Sequence, residues 1–111
     1  MDKLTKYRQI VRQLTEEYAQ HRPSHGEVEA EAIIDPEKDH YQVMHFGWHD
    51  QRRIYGAVIH MNIVEGKIWI QYDGTNRPVA DRLLEAGVPR EDIILGLHPP
   101  NVRQYTDFGV A

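Results

Sequence analysis

The chain has 111 residues, a formal net charge of −4 at pH 7 and no cysteine. This length is common for a single domain with one hydrophobic core, so we predict one domain over residues 1–111. The lack of cysteine excludes disulfides, a thiol nucleophile and cysteine-ligated metal centres. The acidic balance argues against a surface built throughout to bind DNA. No segment reaches the roughly 18 consecutive apolar residues of a membrane span, and the charged start is unlike a secretory signal, so we expect a cytoplasmic protein without a membrane partner.

The first predicted element is an amphipathic helix that Asp2 can cap. Its apolar residues recur at spacings of three and four, up to about Ala19 or Gln20. This stripe consists of Leu4, Tyr7, Ile10, Val11, Leu14 and Tyr18. Residues 22–26, with a proline and a glycine, predict a loop after the helix.

Four strands are predicted next, because the apolar period changes from about 3.6 to two. The strands cover residues 27–34, 41–48, 54–64 and 67–72. Asp35 and Pro36 open a turn after the first strand. Strict alternation in the third strand places five side chains on one face, namely Tyr55, Ala57, Ile59, Met61 and Ile63.

Helical signals return after the fourth strand. Asn76 is a plausible N-cap with Pro78 near the first helical position, and Gly87 ends this second helix. Residues 93–95 predict a short fifth strand, followed by one helical turn near 101–105 and a C-terminal tail. The fold class is therefore α+β: an N-terminal helix, a four-stranded antiparallel meander, a second helix, a short fifth strand and a tail, with the helices on one face of the sheet.

The histidines form no recognisable metal-binding motif. The seven are His21, His25, His40, His45, His49, His60 and His98. His45 and His49 lie four apart on a strand and its loop, where that spacing does not bring side chains together. His45 and His60 could be cross-strand neighbours, but two ligands do not make a site. We therefore expect structural or solvated histidines, no metal and no cofactor.

Two acidic patterns are the strongest candidates for catalysis. Asp50, followed by Glu65-Gly66-Lys67, resembles the core of restriction-type nucleases, where carboxylates hold Mg²⁺ and a lysine polarises the attack on phosphate, but the triplet falls in a turn. Asp73-Gly74-Thr75 is an isolated echo of the aspartic-protease triplet, in a position where turn residues are common. We assign no catalytic residue.

Basic residues are too few to predict tight DNA binding by this chain alone. One group lies on the first helix and another, Arg52-Arg53, follows Trp48. The heptad-like spacing of the first helix leaves a homo-oligomer open, although it covers only about two heptads. The apolar tail is predicted to be ordered, with Phe108 mostly buried. The candidate partner-contacting residues are Trp48, Arg52, Arg53, His98, Tyr105 and Phe108.

Four blocks of sequence together resemble the XisI family. They are MDKLTKYR at 1–8, IDP at 34–36 with DHY at 39–41, GKIWIQ at 66–71 running into DGT at 73–75, and AGVPREDIILG at 86–96 with HPP at 98–100 and VR at 102–103. The resemblance spans essentially the whole chain in one register. It departs from the family pattern at Arg77-Pro78, where a more glycine-like turn is usual, and at Asn62, where an acidic residue is usual.

The resemblance implies a factor that controls excision of the fdxN element from cyanobacterial chromosomes during heterocyst differentiation. Such factors act beside a nuclease-like companion, XisH, while a separate site-specific recombinase exchanges the strands, so DNA contact would be indirect. The family has no established catalytic residues, and we predict a non-enzymatic accessory factor. Two alternatives remain: a nucleic-acid-processing enzyme using Asp50, Glu65 or Asp73, and an antitoxin-like or immunity-like inhibitor whose acidic charge masks a basic partner.

Overall fold

A five-stranded sheet follows an N-terminal helix in the computed structural model, which describes residues 2–21, 23 and 26–110. The helices are α1 (Lys3–Ala19), α2 (Val79–Glu85) and α3 (Pro100–Arg103), and the strands are β1 (Glu27–Asp35), β2 (His40–His49), β3 (Arg52–Val64), β4 (Lys67–Asp73) and β5 (Ile93–Leu95). The predicted α+β class is confirmed. Arg22, Ser24 and His25 of the predicted loop and Ala111 of the predicted tail lie outside the described residues. Within the described part, no helix has the length and apolar character needed to cross a membrane.

The cap and stripe of α1 follow the sequence prediction. The Thr5 backbone N–H donates to Asp2 Oδ1 at 2.8 Å, which satisfies one of the free donors at the helix start. Tyr7, Val11 and Leu14 are buried on the side that faces the sheet. The spacing of these residues by three and four therefore marks the packed face of the helix.

The strands lie in the order β1-β2-β3-β4-β5. Short turns connect β1 to β4, so each of these strands is antiparallel to the next, whereas β5 runs parallel to β4. This follows from α2, because a parallel pair needs a crossover connection. In the first turn, Asp35 Oδ1 accepts hydrogen bonds from the backbone N–H groups of Glu37 and Lys38 at 3.0 and 3.1 Å.

The core lies between one face of the sheet and the two longer helices. Side chains from α1, α2 and β2 to β5 form one apolar cluster there, including Val11, Leu83, Ile59, Met61 and Ile68. The prediction that these helices share a face is confirmed. The chain end covers part of the other face beside β5, where the Arg103 guanidinium lies 5.0 Å from the Trp69 ring centroid.

A β-bulge at Val58 divides β3 into two segments of opposite phase. Val43 pairs with Ile59, and the next residue, Met44, pairs with Ala57, so Val58 has no partner across the ladder. Adjacent residues of β2 face opposite ways, so Ala57 lies on the face opposite to Ile59. The prediction that Tyr55 and Ala57 share the buried face of Ile59, Met61 and Ile63 is wrong, because alternation cannot reveal one extra residue.

The start of α2 also differs from the prediction. The helix begins at Val79 with Pro78 at the N-cap position, which makes no side-chain capping bond. Asp73 supplies the missing acceptor: its Oδ2 accepts from the Val79 N–H at 2.8 Å, and its Oδ1 accepts from the Thr75 N–H at 2.9 Å. Asn76 is therefore not the cap.

The chain end is tied to β5. The Gly109 N–H donates to the Ile93 carbonyl at 2.9 Å, and the Arg90 guanidinium lies 5.4 Å from the Phe108 ring centroid. Phe108 packs against the core and is mostly buried, as predicted, whereas Val110 is exposed. The tail is therefore held both by backbone pairing with β5 and by burial of Phe108.

Candidate protein-interaction face

The sheet presents an open face on β1, β2 and β3, opposite to the two longer helices. Directly paired residues share a face, so the register defines rows of side chains that run across these strands. The rows are Glu27–Trp48–Arg53, Glu29–Phe46–Tyr55 and Glu31–Met44–Ala57. We call these nine residues the open face. They combine an acidic edge, an apolar centre and an aromatic–basic flank.

Arg53 holds two aromatic rings together on the open face. Its guanidinium lies 5.4 Å from the Trp48 ring centroid and 5.8 Å from the Tyr55 ring centroid. Both rings are accessible to a partner, with Trp48 50% and Tyr55 72% exposed. Tryptophan, tyrosine and arginine are the residue types that dominate binding energy at protein interfaces, so this cluster has the composition of an interface hot spot.

The structure brings only part of the predicted candidate set to this cluster. Trp48 and Arg53 contact each other, but Arg52 pairs with His49 and lies on the opposite side of the strand. Tyr55 was missed, because strict alternation placed it in the core. The sequence signal for its exposure is the pair Arg52 and Arg53 at the start of the strand. Consecutive residues point to opposite faces, so a charge on each face shows that neither face is buried along the whole strand.

An acidic ridge runs along the sheet edge beside the apolar centre. Glu27, Glu29 and Glu31 are all exposed and occupy alternate positions of β1. Within residues 2–21, 23 and 26–110, β1 pairs only with β2, which leaves its outer backbone edge open. Three carboxylates on an open edge deter self-pairing and favour a basic partner.

The remaining candidates lie at the other edge of the sheet. His98, Tyr105 and Phe108 follow β5, and β4 separates them from the strands of the open face. Tyr105 is 83% exposed, whereas the His98 carbonyl accepts a hydrogen bond from Arg103 Nε at 2.9 Å. The six predicted residues therefore occupy two separate surfaces.

The carboxylates considered for catalysis do not converge. Asp50 lies in the β2–β3 turn and Glu65 in the β3–β4 turn, at opposite ends of β3. At about 3.3 Å per residue, a strand of this length separates them by roughly 40 Å. Asp73 is occupied as the cap of α2. The nuclease-like arrangement is therefore not formed, and the pattern reflects turn chemistry.

The histidines pair differently from the prediction. The short turn between β2 and β3 sets His45 opposite Gly56, on the helix-covered side, so His45 and His60 are not neighbours. His60 instead contacts His40 on the opposite side of the sheet, with Nδ1 of His40 3.0 Å from Nε2 of His60. Burial lowers the pKa of both His45 and His60. In the described part of the chain, no three histidine or acidic side chains are grouped to hold a metal ion.

Both departures from the family pattern have local structural roles. Asn62 is buried, and its Oδ1 accepts a hydrogen bond from Gln71 Nε2 at 2.9 Å. At the other site, the Arg77 carbonyl accepts hydrogen bonds from the hydroxyl groups of Tyr18 and Thr75 at 2.6 and 2.8 Å. These bonds fix the loop before α2 against the end of α1.

These features define a small α+β domain with helices packed on one side of the sheet and an exposed aromatic, apolar and acidic face on the other. The family model described as XisI protein matches residues 1–110. The chain belongs to the XisI family.

Two solved structures have the same fold. A XisI-like protein from Anabaena variabilis is 50% identical, with a TM-score of 0.91, and the match covers 97% of this chain and 99% of that one. The fdxN element excision controlling factor XisI from the same organism is 37% identical, with a TM-score of 0.85, over 99% of this chain and 100% of that one. No curated protein matches the chain.

Proposed function

We propose that this chain is a non-enzymatic accessory factor that controls excision of an fdxN-like DNA element by binding other proteins. The observation that carries the proposal is the exposed Trp48–Arg53–Tyr55 cluster, which lies next to the apolar centre of the open face and the acidic ridge. A role in excision is supported by the 37% identical relative, which is described as an fdxN element excision controlling factor. The direct partner is a XisH-like companion, and DNA and a site-specific recombinase are reached through that complex.

The charge of the open face favours protein over DNA as its ligand. Glu27, Glu29 and Glu31 project beside the aromatic cluster, and the chain as a whole carries a net charge of −4. Phosphates would be repelled by this ridge, whereas a basic protein surface would be attracted. We therefore expect only weak duplex binding by this chain alone, with a Kd no tighter than about 10⁻⁶ M at physiological salt.

The test is a binding titration with the co-expressed XisH-like companion. Trp48→Ala and Tyr55→Ala are each expected to weaken binding by about 30-fold or more, because hot-spot truncations cost about 2 kcal/mol. Tyr105→Ala is the matched control, since Tyr105 is also exposed, at 83% against 72% for Tyr55, but lies at the other edge of the sheet. Unchanged affinity for both folded open-face variants would remove the open face as the binding site.

A second candidate is that the chain inhibits its nuclease-like partner, as an antitoxin would. The acidic ridge favours this version, because three regularly spaced carboxylates can cover a basic substrate groove. Nuclease assays of the companion with and without this chain separate the two roles. If the wild-type chain abolishes cleavage by the companion and the triple variant Glu27→Gln/Glu29→Gln/Glu31→Gln does not, the chain is an inhibitor. Unchanged or increased cleavage in the wild-type complex would instead indicate an assisting factor.

A further inference from the structure

A cleft of about 740 Å³ lies on the helix-covered side of the sheet, away from the open face. The end of α1 and the loop between β4 and α2 form its walls. The apolar floor is formed by Val58, which overlies the fully buried Val43 and Ile59, while His45, Arg77 and Arg82 contribute polar groups. The cleft is therefore independent of the protein-binding role proposed above.

Two features of the backbone shape this space. Helix α1 ends at Ala19, and Gln20 and His21, which follow it, line the cleft. The bulge at Val58 turns an additional apolar side chain toward the helix-covered side, where it lines the cleft.

The two arginines of the cleft differ in whether a carboxylate neutralises them. Arg82 Nη2 pairs with Glu17 Oε2 at 2.9 Å, so this cation is neutralised. The Arg77 guanidinium forms no hydrogen bond or ion pair with any described residue, although its backbone is fixed by Tyr18 and Thr75. The net charge of the described groups on the cleft is therefore positive, in a protein whose total charge is negative.

His45 adds a polar group that has no partner of its own. It is half-buried beside the apolar floor, and its ring makes no hydrogen bond to the residues that the structure describes. Burial lowers the pKa of His45, so the ring is neutral at pH 7 and offers one donor and one acceptor. A half-buried imidazole without a partner is satisfied by water or by a ligand.

We propose that this cleft binds a small organic anion, with its apolar body against Val58 and Tyr18 and its oxyanion at Arg77. The volume falls within the roughly 300–1,000 Å³ of small-molecule sites, which combine an apolar lining with a few polar groups. A guanidinium is suited to a carboxylate or phosphate because it donates two parallel hydrogen bonds. His45, which lines the same cleft, gives the ligand a further hydrogen bond.

The probe is phenyl phosphate, titrated into the ¹⁵N-labelled full-length chain and followed by two-dimensional NMR. Inorganic phosphate and phenol serve as matched probes for the anionic and apolar parts. Phenyl phosphate is expected to give saturable shifts at His45, Val58 and Thr75, and to bind at least about tenfold more tightly than either part alone. Arg77→Gln should weaken this binding about tenfold or more.

The matched control is Arg53→Gln, which removes an arginine from the opposite side of the sheet and should leave phenyl phosphate affinity unchanged. Both arginines are exposed, and the same spectra report whether each variant is folded. No saturable shift, shifts confined to the open face, or equal affinity of wild type and Arg77→Gln would each overturn the proposal. Arg77→Gln should retain companion binding, so failure of one proposal leaves the other standing.

Discussion

His40 and His60 form an imidazole–imidazole contact on neighbouring strands, with 3.0 Å between Nδ1 of His40 and Nε2 of His60. The ring centroids are 5.2 Å apart. One ring must donate and the other accept, so the bond requires at least one neutral ring. Burial, together with the nearby charge of protonated His40, lowers the pKa of His60. The two rings therefore cannot both be protonated without losing their contact.

Stability is expected to fall as the pH drops below about 6.5, the ordinary pKa of histidine. Because the folded-state pKa of His60 is lowered, the unfolded chain binds this proton first, and the stabilisation present above about pH 6.5 is lost as the pH falls through the folded-state value. His60→Gln removes one such group. Urea unfolding at about pH 7.5 and about pH 5.5 should show a smaller loss of stability in this variant than in wild type.

His45 contributes to the same pH dependence, because burial also lowers its pKa. His60→Gln should therefore retain part of the pH dependence, and His45→Gln/His60→Gln should retain less. If wild type and His60→Gln lost equal stability over this range, proton uptake by His60 would have no part in it.

Tyr7→Phe is expected to destabilise the fold by about 1.5–3 kcal/mol, the range for hydrogen bonds to charged groups. Tyr7 Oη donates to Asp92 Oδ2, which ties α1 to the turn before β5. Burial opposes ionisation of Asp92, but hydrogen bonds from Lys3 and Tyr7 lower its pKa overall. Tyr7→Phe leaves this nearly buried carboxylate without its buried donor. Chemical denaturation midpoints measure the effect.

Lys3→Gln is the matched comparison, because Lys3 Nζ contacts the same carboxylate at 2.7 Å with a side chain that is 58% exposed. An ion pair with such an exposed partner contributes about 0–1 kcal/mol. A larger loss from Lys3→Gln than from Tyr7→Phe would show that the ion pair, not the buried hydrogen bond, holds the carboxylate.

Asp73→Ala is expected to destabilise the chain by about 1–2 kcal/mol, as loss of a helix cap does. The substitution removes the acceptors of the Thr75 and Val79 N–H groups at the start of α2. Asp73→Asn should cost less, because one side-chain oxygen remains as an acceptor. Thermal unfolding measures both. Equal stability of wild type and Asp73→Ala would contradict the cap assignment.

Gly109→Ala is expected to destabilise the chain by about 1–3 kcal/mol through overpacking. A Cβ at this position would lie 2.5 Å from the Glu91 carbonyl oxygen and 2.5 Å from Ile94 Cδ1. The neighbouring substitution Val110→Ala, at an exposed side chain, should change stability by less than about 0.5 kcal/mol. Similar unfolding temperatures for Gly109→Ala and Val110→Ala would mean that the chain end does not pack closely on β5.

The elements of this fold were predictable where burial imposes a regular period. Tyr7, Val11 and Leu14 mark α1, and the alternation around Tyr41 and Val43 marks β2. The bulge was not predictable, because Val58 is apolar and the residues on both sides of it alternate without a visible break. The consequence for the site was direct, since Tyr55 was assigned to the core.

Contacts between residues that are far apart in the sequence were also hard to predict. Asp73 caps a helix that begins six residues later, and the nearer Asn76 matched the usual cap pattern better. The proximity of Trp48 and Arg53 was predictable because a short hairpin connects their strands. Nothing local in the sequence shows that Tyr105 and Phe108 lie beyond β4, because that depends on the parallel placement of β5.

The bulge at Val58 bears on how related chains should be aligned. A homologue lacking this single residue would keep Val43 opposite Ile59 and Met44 opposite Ala57, because Val58 takes no part in the ladder. A deletion inside a strand usually exchanges its two faces, but here it would leave both unchanged. An alignment that forbids gaps within strands would therefore shift the hairpin tip by one column and equate outward-facing residues, such as Tyr55, with inward-facing ones.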